Sequence, residues 1–283
     1  MKRLSLLFAA ALSVLPFIAQ AQKKNEAPKE LKVMSYNIRM GTADDGTNSW
    51  QYRYPATAIM IEDQNPDVFG VQEALDFQIR FIEENCRGYK CVGVGREDGK
   101  RKGEHMSIFY NKKTVSLLKW GTFWLSETPE EPSMGWDAAC FRSATWALMK
   151  DRKTGRKFYY VNTHLDHKGA EAQKNGLKLI VDRISSINPE GYPMVLTGDF
   201  NIRPDNPALK DLDARMSSAR KIAEKTDGHA TFNGWAKPKQ GNIIDYIYVS
   251  GFTACPEYQT VTKKYADRTY VSDHYPVVAR LIF

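Results

Sequence analysis

Pro193-Met194-Val195-Leu196-Thr197-Gly198-Asp199-Phe200-Asn201 is the stretch on which the reading of this chain turns. A short apolar run passes into Thr-Gly-Asp, the pattern of a buried strand that ends on an acid. Gly198 permits an unusual turn at that point, which would present Asp199 and Asn201 side by side. A carboxylate can align or accept a proton of water, and a primary amide can donate to a phosphate oxygen. Asp/Asn turns after strands are also common where no chemistry occurs, so the stretch carries weight only with its neighbours.

Outward from it, strand-like and helix-like patterns alternate. Residues 31–38 (LKVMSYNI), 66–73 (PDVFGVQE), 105–111 (HMSIFYN), 143–150 (SATWALMK) and 157–165 (KFYYVNTHL) read as strands. So do 243–250 (IIDYIYVS) and 274–283 (HYPVVARLIF). Residues 52–63 and 74–85 have near-helical apolar spacing. Ala170 to Ile187 is the clearest helix, with Leu177, Ile180, Val181, Ile184 and Ile187 on one face. This mixture predicts one α/β domain over residues 31–283, its sheets covered by helices.

Polar residues recur at or just past the C-terminal ends of these strands: Asn37, Glu73, His164, Asp199 and Asp245. Asp273 and His274 instead open the last one. Strand ends are rigid platforms from which side chains converge. Several carboxylates meeting there would repel unless a cation offset them, which is the physical case for a metal. Glu73 offers a hard oxygen ligand of the kind Mg²⁺ prefers, and Asn37 would support the ion or its water. His164 is placed to donate to a phosphoryl oxygen. Asp245 would orient and charge the His274 ring, so that triad logic acts on water instead of serine.

The blocks SYNIR, VQE, NTHLD, GDFN, IDYI and SDHYP occur in the order found in the endonuclease/exonuclease/phosphatase superfamily, which the chain resembles over nearly its whole length. That resemblance implies a four-layer α/β/β/α sandwich of two mixed β-sheets flanked by helices. It implies Glu73 as principal Mg²⁺ ligand (Mn²⁺ as a substitute), with Asn37 and Asp273 in the metal network. Asp199 would align or deprotonate the attacking water, Asn201 would hold the phosphate, and Asp245–His274 would form a dyad. His164 resembles the second histidine of the deoxyribonuclease, sphingomyelinase and deadenylase branches.

Arg142, after a loop and before a strand, is a candidate bidentate phosphate clamp, with a structural ion pair as the equal alternative. Trp124 and Trp136, in the loop 123–140, are offered either to a base or lipid or to the core. His105 has a cleft rim as its lesser alternative, and His167 and His229, which no motif supports, are placed on the surface.

Lys2 and Arg3 precede an apolar run and Ala19-Gln20-Ala21, so residues 1–21 read as a signal peptide and 22–30 as an exposed linker. The expectation is an exported protein, periplasmic or extracellular, without stable membrane insertion and monomeric. Removing Lys2 and Arg3 takes the formal charge from +7 to about +5, a surplus that favours acidic partners. A nuclease acting on nucleic acid is therefore the first expectation. A phosphomonoesterase or a lipid-directed phosphodiesterase is the second, and a catalytically dead polyanion binder the third. The four cysteines have no zinc-finger spacing. Cys86 and Cys91 could close a small disulfide loop, but no pairing among Cys86, Cys91, Cys140 and Cys255 is fixed by the sequence.

Overall fold

Side chains along β1 (Glu30–Asn37) alternate between two apolar layers, and the fold follows from that alternation. The computed structural model describes residues 30–236 and 242–283. The signal-peptide segment and all of the linker but Glu30 lie outside the described residues. Glu30 itself belongs to β1.

The elements that follow are α1 (Trp50–Gln64), β2 (Val68–Gln72), α2 (Asp76–Asn85), β3 (Tyr89–Val92), β4 (Ile108–Asn111) and β5 (Val115–Trp124). Next come β6 (Ser143–Asp151), β7 (Lys157–His164), α3 (Ala170–Ile187), β8 (Met194–Asp199), α4 (Lys210–Asp213) and β9 (Ser217–Ser218). The chain ends with α5 (Ala219–Ile222), β10 (Asp245–Ser250), β11 (Ala254–Thr260) and β12 (Val277–Ile282). They form two six-stranded sheets, ordered β11-β12-β1-β2-β4-β3 and β5-β6-β7-β8-β10-β9. Each is mixed: β1–β2 and β7–β8 pair parallel, the other pairs antiparallel.

Three apolar layers hold the sandwich. Leu31, Val33, Val68, Phe158, Tyr160, Val195 and Ile247 fill the space between the sheets. Met34, Tyr36, Phe69 and Val71 face the other way, onto Met60 and Ile61 of α1 and Ile79 and Ile82 of α2. On the far side Tyr159, Val161 and Leu196 meet Leu177, Ile180 and Val181 of α3. Each such side chain contributes roughly 1.5–3 kcal/mol by leaving water. Ile184 and Ile187 pack against that layer only partly buried. The expected four-layer sandwich is the fold observed.

Toward one end, the inner faces change from apolar to polar. Gln72 Nε2 donates to Asn162 Oδ1 (2.7 Å), Thr197 Oγ1 donates to the same oxygen (3.1 Å), and Asn162 Nδ2 donates to the Val71 carbonyl (2.8 Å). Gly70 leaves room for this layer, since a Cβ there would lie 2.4 Å from the Asn162 amide. Gly198 has a related use and not the one expected. It sits inside β8, where a Cβ would meet the Thr163 carbonyl at 2.3 Å, so close strand approach requires it. The left-handed turn falls instead on Asn201, at φ 52°.

Two placements differ from the sequence reading. Asp245 is the first residue of its strand, not near its end. Because β10 runs antiparallel to β8, Asp245 pairs with Asp199 and reaches the same end of the sandwich. Asp273 and His274 precede β12, in a loop fixed by Asn233 and Gly234, whose N–H groups donate to the Asp273 carbonyl. All four cysteines are free thiols. Burial raises the pKa of each, which suits packing rather than reactivity.

Candidate active site

Beyond the polar layer lies a cleft of about 730 Å³, lined by Glu73, His164, Asp199, Asn201, Asp273 and His274 among others. Asn37 ends β1, Glu73 follows β2, His164 ends β7 and Asp199 ends β8. Arg39, Glu73 and Asn201 have φ of 61°, 60° and 52°, a left-handed backbone that costs energy for non-glycine residues. The strain is found where each chain leaves its strand to turn into the cleft.

Asn37 knits the centre together. Its Nδ2 donates to Glu73 Oε1 (3.0 Å) and Asp199 Oδ2 (3.0 Å), and lies 3.5 Å from His274 Nε2. The second Glu73 oxygen accepts from the Met40 N–H (2.9 Å). Burial would raise the Glu73 pKa, but His274, this N–H, Asn37 and Arg39 outweigh it and hold the carboxyl low. Asp273 is raised, chiefly by burial. Arg39 stands between these acids, 3.9 Å from Glu73 and 3.7 Å from Asp273, with Asp45 gripping its guanidinium at 2.9 and 3.0 Å.

His274 Nδ1 meets Asp245 Oδ2 at 2.9 Å, and its Nε2 lies 3.7 Å from Asp199 Oδ2. His164 Nε2 approaches the same Asp199 oxygen at 3.4 Å and Asn201 Nδ2 at 3.0 Å. Both rings are buried. Burial lowers the pKa of His274, but Asp245, Asp199 and Asp273 overcome this and push it up to about 10. His164 falls well below its usual value, through burial and then the charges of Arg142 and Arg96. The Asp199 carboxyl is raised by burial and by Asp245, against the pull of His274.

The donor set fits a hard divalent cation, since it brings the carboxylates of Glu73, Asp199 and Asp273 to one cleft. Among the described residues, Glu73, His164 and Asp199 offer ligand atoms all within 4.8 Å of one another. Asp273 stands outside that group, reached across Arg39. Bound there, such an ion would offset charge growing on phosphoryl oxygens.

Every expected site residue comes to this one region. Arg142 is buried in the cleft wall, where the structural pair is the contact observed. Its Nε faces Asp166 (3.3 Å) and its Nη2 meets His167 Nδ1 (3.0 Å), while Nη1 has no partner. Arg96, Glu104 and His167 also line the cleft and were not foreseen. Arg96 pairs with Glu104 at 2.8 and 2.9 Å, and Glu104 lies 3.8 Å from His164 Nδ1. The signal for this pair was the Asp98-Gly99 turn between them. His167 is exposed as expected, but it belongs to the cleft. His105 does not: it is buried behind the cleft, its ring against the Arg101 carbonyl (3.3 Å). His229 is exposed and elsewhere. Trp124 is core, donating to the Arg96 carbonyl, and Trp136 packs against the α3 layer.

Paired acids and imidazoles beside a guanidinium, at one end of a two-sheet sandwich, define a hydrolase of phosphoester bonds. The chain belongs to the Endonuclease/Exonuclease/phosphatase family, whose model matches residues 34–274. A mannosyl-6-phosphatase of Bacteroides thetaiotaomicron is 33% identical, with TM-score 0.85 over 89% of this chain and all of that one (100%). A family protein of Bacteroides vulgatus is 36% identical, with TM-score 0.84 over 89% and 98% of the two chains. Sphingomyelinase C 2 of Leptospira interrogans is 25% identical over 90% of this chain, which spans 47% of that relative.

Proposed function

We propose that this protein is an exported, Mg²⁺-dependent phosphomonoesterase acting on phosphorylated sugars or similar small compounds. The observation that carries the reading is the buried Arg142 in the cleft wall, whose Nη1 has no hydrogen-bond partner. A terminal phosphate dianion presents more charged oxygen than a diester, and a fixed guanidinium matches it. The likeness to a mannosyl-6-phosphatase supports the same substrate class.

In this reading Glu73 and Asp273 hold the ion, with Asp199 beside it and Asn37 steadying the Glu73 and Asp199 carboxylates through its Nδ2. Asp199 aligns the attacking water and takes its proton as the water oxygen bonds to phosphorus and the ester P–O bond breaks. His274, kept charged by Asp245, faces the phosphoryl oxygens as a cation. This changes the role expected from sequence, in which His274 was the base and activity would fall through the ordinary histidine range. His164 and Asn201 donate to the phosphoryl group or to the departing oxygen.

A nucleic-acid phosphodiester is the second reading, favoured by the surplus of about +5 left once Lys2 and Arg3 are removed from the +7 of the full chain. A panel separates them: mannose 6-phosphate, glucose 6-phosphate and inositol phosphates against DNA, RNA, sphingomyelin and bis-p-nitrophenyl phosphate, with Mg²⁺ and with chelator. The expected result is faster release of phosphate from the monoesters, abolished by chelation. Faster cleavage of DNA or RNA would overturn it in favour of the second reading. Export is checked by sequencing the N-terminus of the secreted or periplasmic fraction, where residue 22 is expected first.

A further inference from the structure

Arg53, on α1, is the largest fully buried side chain of the described residues, and it makes no ion pair with any described carboxylate. A buried guanidinium without a counter-ion is expensive, so its surroundings have to account for it. Four carbonyls do so in part. Nε donates to Asn48 O (2.6 Å), Nη1 to Ile38 O (3.0 Å) and Val271 O (2.7 Å), and Nη2 to Arg39 O (3.5 Å). The indoles of Trp50 and Trp235 sandwich it, 5.4 and 5.3 Å from the guanidinium carbon.

The identity of those carbonyls is what points to function. Ile38 and Arg39 directly follow Asn37. Asn48 ends the turn that carries Asp45, the residue gripping Arg39. Val271 stands two residues before Asp273. The segments that carry Asn37 and Arg39, Asp45, and Asp273 therefore all end on one planar group. A guanidinium can hold three of them at once because its donors fan out in a fixed plane. The charge also acts at longer range, through attraction to Asp273 and Asp45.

We infer that Arg53 is the positioning residue for the cation site, fixing the Asn37, Asp45 and Asp273 segments in register while touching neither ion nor substrate. The inference rests on the reading of Glu73 and Asp273 as the ion's ligands, with Asn37 bracing Glu73. Mn²⁺ titrated into the full protein without substrate, followed by calorimetry and by the electron-spin signal of free Mn²⁺, tests it apart from turnover. Arg53→Met is expected to weaken Mn²⁺ binding about 10–100-fold. Arg53→Lys keeps the charge but cannot reach all the carbonyls, and should fall between that variant and wild type. If Arg53→Met fails to fold, Arg53→Lys alone decides. Ile180→Ala, in the distant α3 layer, should lower Tm yet leave the Mn²⁺ Kd within about twofold. Wild-type affinity in the Arg53 variants, or equal weakening in Ile180→Ala, would overturn the positioning role. Wild-type protein that takes up no Mn²⁺ would instead overturn the metal reading on which it stands.

Discussion

His274 and His164 are both buried, and both ring Nε2 atoms lie within 4 Å of one Asp199 oxygen, at 3.7 and 3.4 Å. Yet one is pushed up to about 10 and the other falls well below 6.5. Burial disfavours the charged form of each alike. What separates them is the sign of the surroundings: Asp245, Asp199 and Asp273 at one, Arg142 and Arg96 at the other. A single cleft thus keeps one imidazole as a cation and the other neutral, a division of labour set by a few side chains.

The largest break in this comparison comes from removing what the two corners share. Asp199→Ala takes the common oxygen from both rings and the acceptor from the attacking water. Turnover should fall about 10⁴-fold, measured with phosphate release under saturating substrate. A variant within tenfold of wild type would exclude Asp199 as the residue acting on water. Asp245→Asn breaks one corner only. The amide oxygen can still accept from Nδ1–H, but the charge that most opposes burial is gone. The His274 pKa should therefore fall from about 10 in nitrogen-detected NMR, while Asp199 and Asp273 still raise it. A loss of about 10²–10³ in kcat is expected, together with a pH dependence that moves down with the ring. An unmoved His274 resonance would show that Asp245 does not hold the charge.

The two corners also differ in how well sequence exposes them. His274, Asp245 and Asp199 sit in short blocks against strongly apolar strands, where strand periodicity and the abrupt polar residue stand out together. The Arg96–Glu104 pair lies in 95–104, a charged Gly-rich loop without periodicity, whose sides are joined by backbone bonds such as Arg96 N–H to Glu104 O and Glu97 N–H to Lys102 O. The strands show the same contrast. β7 beyond Lys157 and all of β8 are buried and readable. β5 is an edge strand with Leu118, Lys119 and Trp120 exposed and a register shift between Leu117 and Lys119, so its alternation is broken. β11 carries Pro256 at another edge. Asp245 was found but put at the wrong end of its strand; it opens the strand, and only the antiparallel pairing of β10 with β8, which no local pattern records, brings that start to Asp199.

Arg142→Met sharpens the comparison from the cationic side. It removes the free Nη1 donor, so KM should rise about tenfold or more for a phosphomonoester. It also removes a charge that depresses His164, whose pKa should move upward toward 6.5 while His274 stays where it is. Equal shifts in the two rings would mean that they do not sense separate fields. An unchanged KM would return Arg142 to a purely structural pair with Asp166.

The smallest effect concerns stability, and it has opposite signs at the two rings. His164 has a folded pKa below its unfolded value near 6.5, so the unfolded chain binds the extra proton first and stability is lost as pH falls below that point. His274 has a folded pKa raised to about 10, so its contribution is fully present below 6.5 and is lost as pH rises from there through about 10. Thermal melts in chelator across pH 5 to 10 should therefore decline on both sides of an optimum, by a few degrees for each ring at this chain length. His164→Gln should flatten the acid side alone, and His274→Gln the alkaline side alone. If His274→Gln flattened the acid side instead, the ring would be neutral in the folded protein, and the two corners of the cleft would carry the same sign.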